Sequence, residues 1–217
     1  EADARPKRYA GTAQDNLRSV AAYEAVMQKC RKEAGELEPE LRWYVEPFGF
    51  LEAVRTLDKK ERRRRTELDY IKILQEQGFD ALQGAGGFVN QLVEGDIELL
   101  HRTVIYAPPT QPSDPLRWTK SMRMLQLPNV ASFEPQSWVP RMSAQYTTVN
   151  LSISDAFNNI GPLFDAIKEH EGAWENSLKG WKNDPYGPRV DVEKEFVANL
   201  GNRITIVTDY ATPITTE

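Results

Sequence analysis

The chain has 217 residues, 40% hydrophobic and 27% charged, with a formal net charge of -5. That length and apolar content suffice for a folded core and exclude wholesale disorder, and the acidic balance disfavours a general polyanion binder, because phosphate backbones reward excess Lys and Arg. No apolar run approaches the roughly 20 residues of a membrane-spanning helix. The single cysteine, Cys30, with only His101 and His170, makes neither an internal disulfide nor a Cys/His zinc site.

The polar opening EADARPKRYAG carries no charged-then-apolar export signal, and both ends read as boundaries within a longer protein. The first element is a helix over 16–31. Leu17, Val20, Tyr23, Met27 and Cys30 fall on one stripe, Asp15 or Asn16 caps the start and Gly35 follows the end. Cys30 is read as a buried structural thiol. The aromatic and aliphatic run LRWYVE predicts a strand over 41–46, stopped by Pro47. A helix follows, with Phe50, Leu51, Val54 and Leu57 directed inward.

Four consecutive arginines, Arg62 to Arg65, come next. Residues 58–69 hold six positive charges against four negative ones, and Asp58 with Arg62 and Glu61 with Arg65 stand four apart. That spacing supports an exposed helix by about 0.2–0.5 kcal/mol per pair, so a solvated helix or loop is preferred to a nucleic-acid contact. From Leu68 an amphipathic helix carries Ile71 and Leu74 and ends at Gly78.

The stretch from Phe79 predicts a long β-hairpin, 79–93 against 96–107, with Glu94, Gly95 and Asp96 in its turn. Gly84, Gly86 and Gly87 therefore leave a helix and enter a strand. A phosphate-binding glycine turn runs the other way, from strand to helix N-terminus. The three glycines are read instead as a bulge or a close backbone approach.

Residues 108–143 form a proline-rich strap with a short helical turn near Met122, Met124 and Leu125 and with its aromatics tucked against the core. AQYTTVNLSI is a second strand. Ser154 is expected to cap the next helix, which Pro162 divides, and Trp174, Leu178 and Trp181 fall on another short helix. After NDPYGPR, Asp191 caps VEKEFVANL, Gly201 closes it, and RITIVTDY is a strand.

The expected fold is α+β: an antiparallel sheet built on the long hairpin and the strands at 41 and 144, with helices on one face. One plan of strand, helix, helix and strand occurs twice, so the segments are 1–40 (N-terminal helix), 41–107 (first unit), 108–143 (strap) and 144–217 (second unit, truncated at its end). The stretches WYVEPFGFLEAVR, ILQEQGFDALQGAGGFV, WVPRMSAQYTTVNLSISDAFNNIGPLFDAI, DPYGPRVDVEKEFVANLGNRITIVTDY and ATPITT together resemble a planctomycete-type family of large exported proteins of unknown function. The resemblance covers most of 41–217. It implies an extracytoplasmic location and a repeated α+β module within a longer chain, and it brings no catalytic residues.

The candidate chemistry is sparse. No serine or cysteine stands in a nucleophile elbow. Glu46 at a strand end and Asp191, Glu193 and Glu195 at a helix start are the carboxylates from which a glycosidase-like pair would be drawn, and Asn183, Asp184, Asp191 and Glu193 are oxygen ligands for a calcium site. Helix and turn capping explains the same residues, and is preferred. Trp118, Trp138, Tyr186 and Arg189 are the candidate partner-binding residues, because exposed aromatics in loops build contact surfaces. Gly78, Gly84, Gly86, Gly87, Gly95 and Gly201 are structural. The expectation is a non-enzymatic binding or structural module of an exported bacterial protein, without cofactor, nucleic acid or membrane span, its partner being a protein or another domain of the same chain. The competing reading is a hydrolase using paired carboxylates or a bound metal.

Overall fold

The computed structural model describes residues 16–57, 68–91, 99–187 and 189–209. Its fold is α+β with antiparallel sheets, and the chain divides into two compact units, Glu1–Gln75 with Phe79–Thr110 and Glu76–Gly78 with Gln111–Glu217.

In the first unit a single turn, Leu17–Ser19, is capped by the Asn16 side chain and precedes helix α1, Ala21–Ala34. The helix starts later than its periodicity predicts, because Val20 is extended, and it runs on to Ala34, where Gly35 takes a positive φ of 60°. Ala22, Val26, Met27, Cys30 and Ala34 form its buried stripe. Strands β1 (Leu41–Val45), β2 (Gly84–Gln91) and β3 (Leu99–Tyr106) form an antiparallel sheet in the order β1-β2-β3. Helix α1 packs on one face, and Phe88, fully buried against Val26, Met27, Cys30 and Ala34, is the centre of the core. Burying such a ring contributes about 1.5–3 kcal/mol. Tyr44, Leu100, Val104 and Tyr106 close the sides.

The hairpin is shorter than expected, because Phe79–Ala81 coils into a helical turn before the strand begins. Its turn at Glu94, Gly95 and Asp96 lies outside the described residues. Register is unbroken through the glycines, with Gly84 opposite Tyr106, Gly86 opposite Val104 and Gly87 opposite Thr103, so there is no bulge. Close approach is the reason for them. A Cβ on Gly86 would stand 2.6 Å from Val26 Cγ1 and 2.7 Å from the Trp43 carbonyl oxygen, and one on Gly87 would collide with the Arg102 carbonyl.

Helix α2, Pro47–Leu57, corrects a second expectation. Only Phe48 is buried; Phe50, Leu51, Val54 and Leu57 face solvent. Periodicity reports a stripe, not what covers it. Arg55 on α2 reaches Glu52 at 2.7 Å and Asp69 at 3.0 Å. Helix α3, Tyr70–Glu76, is short, and Gly78 beyond it has φ 90°. The Asp58–Arg62 and Glu61–Arg65 pairs lie outside the described residues.

In the second unit the strand near 144 does not join the hairpin. Strands β4 (Gln145–Asn150) and β5 (Arg203–Thr208) pair with each other as a two-stranded antiparallel sheet. The more buried side of β4 carries Tyr146, Thr148 and Asn150, and the strap is bonded to that side. The Tyr146 hydroxyl donates to Phe133 O at 3.0 Å, Asn150 Nδ2 to Pro128 O at 2.8 Å and Arg203 Nη2 to Glu134 O at 2.6 Å. The strap is held by polar groups while Phe133 and Trp138 are exposed, which corrects the expectation that its aromatics tuck inward. Its helical turn, Lys120–Met124, buries Ser121 and Met122. There the Leu163 amide donates to Ser121 Oγ at 2.9 Å and the Met122 amide to Gln77 O at 3.1 Å.

Between the two strands lie α4 (Ile153–Asn159), α5 (Gly161–Lys168) and α6 (Ala173–Asn183). Ser152, not Ser154, caps α4 by accepting from the Asp155 amide, because the helix starts two residues earlier than the sequence suggests. Pro162 falls in the first turn of α5, where its missing N–H is harmless. Asp191 does cap the next segment, accepting from the Lys194 amide, but Val192–Phe196 is a wide π turn followed by a tight one at Val197–Asn199 instead of one α-helix. Among the described residues the two units differ in build: three strands with α1 to α3 in the first, two strands with α4 to α6 in the second.

Candidate functional site

Glu46, Asp184, Asp191 and Glu195, among the carboxylates expected to carry chemistry, are tied to backbone or to a lysine. Glu46 precedes α2 and accepts from the Phe48 amide at 3.1 Å and the Gly49 amide at 2.5 Å. Two otherwise unmatched helix-start donors are satisfied this way, and the negative charge sits at the positive end of the helix dipole. Asp191, in the second unit, accepts Lys182 Nζ at 2.8 Å and the Lys194 amide at 3.3 Å, while Glu195 accepts the Asp191 amide at 3.2 Å. The hydrogen bond from Lys182, then that from the Lys194 amide, holds the Asp191 carboxyl below its ordinary value, and the same pair raises Lys182. Asp184 accepts the Tyr186 amide at 2.9 Å and shapes the turn after α6. Glu193 is exposed. Among the described residues no group of three or more His, Cys, Asp or Glu side chains gathers where a metal ion would fit.

The histidines are equally dispersed. His101 is exposed on β3, its ring 6.5 Å from that of Trp43. His170 is exposed just after α5. Cys30 lies buried in the α1 stripe, and burial pushes its thiol up, with Arg42 pulling weakly the other way.

Of the four binding candidates, Tyr186 and Arg189 both lie close to Pro185. Tyr186 is 98% exposed, and Arg189 has a left-handed φ of 53° with Nη2 3.5 Å from the Pro185 carbonyl oxygen. Trp118 is half-buried in the strap; the Arg117 guanidinium lies 5.3 Å from its ring and its carbonyl accepts Arg123 Nε at 2.9 Å. Trp138 is exposed on a separate turn.

Sequence reasoning missed a shallow depression on α6 lined by Ser177, Gly180, Trp181, Asn183 and Asp184. Trp181, on the short helix the sequence predicts, is 48% exposed. It stands at the end of an aromatic series: Trp174 is 5.3 Å from both Phe157 and Phe164, and Trp181 meets Trp174 at right angles, 6.3 Å away. Trp174 itself is fixed by Asp165, which accepts its amide at 2.7 Å, and by Gly161, whose missing Cβ leaves room for the indole. The signal was present in the sequence, because 177, 180, 181 and 184 recur on one helical face.

Compared with known protein families, curated proteins and solved structures, the chain matches none. No helix among the described residues is long and apolar enough to cross a membrane.

Proposed function

We propose that this chain is a non-enzymatic binding or structural module of an exported bacterial protein. The observation that carries the reading is the employment of its acidic groups: Glu46 caps α2, Asp191 is shared between Lys182 and the turn it caps, and Asp184 closes a turn. A general acid needs a raised pKa and an open approach to substrate; Asp191 is shifted the opposite way. The exposed aromatics Trp138, Trp181 and Tyr186 supply contact area with few rotatable bonds, which suits recognition of a protein or of another domain of the same chain. Export belongs to the same proposal and rests on the family resemblance of 41–217.

The test is a turnover screen with chromogenic glycosides, esters and phosphates, with and without added calcium, manganese or zinc. No release above the blank is expected. Turnover abolished by Asp191→Asn or Glu193→Gln would establish the hydrolase instead. Fractionation of the source cells checks location: recovery of the parent protein in the cytoplasm alone would remove export.

A further inference from the structure

Strand β5 has one neighbour, β4, in a sheet of two strands. Continued by one residue, their register sets Leu151 opposite Asn202, and there the Leu151 amide donates to Asn202 O at 2.7 Å. Opposed residues of an antiparallel pair are hydrogen-bonded alternately, so Ile204 and Ile206 turn their backbone groups toward β4, and Arg203, Thr205 and Val207 turn theirs away. Among the described residues no backbone hydrogen bond reaches those three from the outer side. Natural edge strands are blunted by charge, proline or a bulge. The run ITIVT, residues 204–208, has neither charge nor proline, and its register is unbroken. Such a bare, flat edge is where a further strand adds.

The order of residues along β5 marks the added strand as a second β5. Antiparallel pairing of the strand with its own copy about Ile206 sets Thr205 opposite the partner's Val207, and Val207 opposite the partner's Thr205. Outward amides and carbonyls then meet their like on the other copy. The same register sets Ile206, 58% exposed in the single chain, against the partner's Ile206. It also sets Arg203 opposite the partner's Asp209 at each end, and opposite charges facing across strands attract. Within the chain Arg203 donates only to neutral oxygens, the Tyr146 hydroxyl, Thr148 Oγ1 and Glu134 O, and among the described residues it has no ion pair. A slip of two residues would put Val207 where Asp209 stands and lose both charge pairs.

We propose that the outer edge of β5 is a homodimer seam, in which residues 203–209 of two copies pair antiparallel about a two-fold axis at Ile206. The product is a four-stranded sheet, β4-β5-β5-β4, with Val149, Ile204 and Ile206 of both copies on one face. The seam goes beyond the binding-module reading of the chain and does not depend on it.

Sedimentation equilibrium of the whole chain should show a monomer–dimer equilibrium with a Kd of about 10–100 µM, as suits a contact smaller than a standard interface. Ile206→Lys sets two like charges about 5 Å apart across the seam and should stay monomeric while keeping the circular dichroism of the unaltered chain. Disulfide trapping with oxidised glutathione reads the register; Cys30 is buried, and the unaltered chain is the blank. Ile206→Cys should close a covalent dimer. Ile204→Cys and Thr208→Cys should each fail alone, because like positions lie about 13 Å apart along the strands, far beyond the roughly 7 Å a disulfide spans. An equimolar mixture of those two should cross-link, because 204 faces 208. A chain monomeric up to about 1 mM, self-association undiminished in Ile206→Lys, or equal trapping by the three single cysteines would each overturn the seam and leave the binding-module reading untouched.

Discussion

Replacing Gly86 with alanine tests the core of the first unit with one methyl group. The added Cβ would stand 2.6 Å from Val26 Cγ1, 2.7 Å from the Trp43 carbonyl oxygen and 3.4 Å from Met27 Cε. Two of those contacts fall far inside ordinary carbon separations of about 3.5–4.0 Å, so α1 and β1 must both move by about an ångström. Overpacking of this kind costs about 1–3 kcal/mol. The rigid backbone oxygen places Gly86→Ala toward the upper end, even after the gain from a stiffer unfolded chain. In a unit of about a hundred residues that lowers the melting temperature by roughly 10 °C. Urea unfolding followed by the exchange of α1 amides measures it. The double variant with Val26→Ala removes the Cγ1 clash and not the carbonyl one, so it should be less destabilised than the two single changes predict by at least about 0.5 kcal/mol. Stability of Gly86→Ala within about 0.5 kcal/mol of the parent would refute the close-approach account.

Glu46→Ala removes both side-chain acceptors at the start of α2 and should lower stability by about 1 kcal/mol in thermal unfolding, more than the same change at Glu193. Asp191, held below its ordinary value by Lys182, stabilises its turn at pH above the free carboxyl value of about 3.9, and the contribution is lost as pH falls through the lower folded value. The protection of the Val192–Phe196 amides, taken relative to their intrinsic exchange at each pH, should therefore fall on acidification below about pH 4, and in Asp191→Asn it should already be reduced at neutral pH. Cys30, 2% exposed with its thiol raised by burial, should resist a soluble disulfide reagent in the native chain and react fully in urea; rapid native labelling would contradict its place in the core.

Features that depend on neighbouring residues in the chain were legible in the sequence. The Met27 and Cys30 part of the α1 stripe, the Pro47 boundary, the division at Pro162 and the Asp191 cap follow from spacing and from local donors and acceptors, whereas Leu17 and Val20, expected on the same stripe, precede the helix and are exposed. What failed were statements about what lies across from a segment. The apolar stripe of α2 is present, yet Phe50, Val54 and Leu57 are exposed, because periodicity does not specify a neighbour. The strand at 145–150 carries no mark saying that its partner is 203–208 rather than the hairpin. Ser152 and Ser154 are equivalent caps in the sequence, and the backbone at 152 decides between them. Gly84, Gly86 and Gly87 do lie within the sheet. Whether they made a bulge or a close approach depended on the distant Val26. The α6 depression was overlooked because Trp181 at helical spacing from Trp174 reads as core.

The side of the β4–β5 ribbon that meets the strap is closed mainly by directional bonds. Arg203 alone donates to the Tyr146 hydroxyl at 2.6 Å, to Thr148 Oγ1 at 3.1 Å and to Glu134 O at 2.6 Å. Exposure of apolar surface raises the heat capacity of a protein and exposure of polar surface lowers it. Undocking the strap should therefore change the heat capacity little, while melting of the first unit's sheet, built around Phe88, should raise it. A heat-capacity step would therefore report the second event and not a loosened ribbon; infrared amide bands, which report the carbonyls at Phe133, Glu134 and Pro128 directly, would register it.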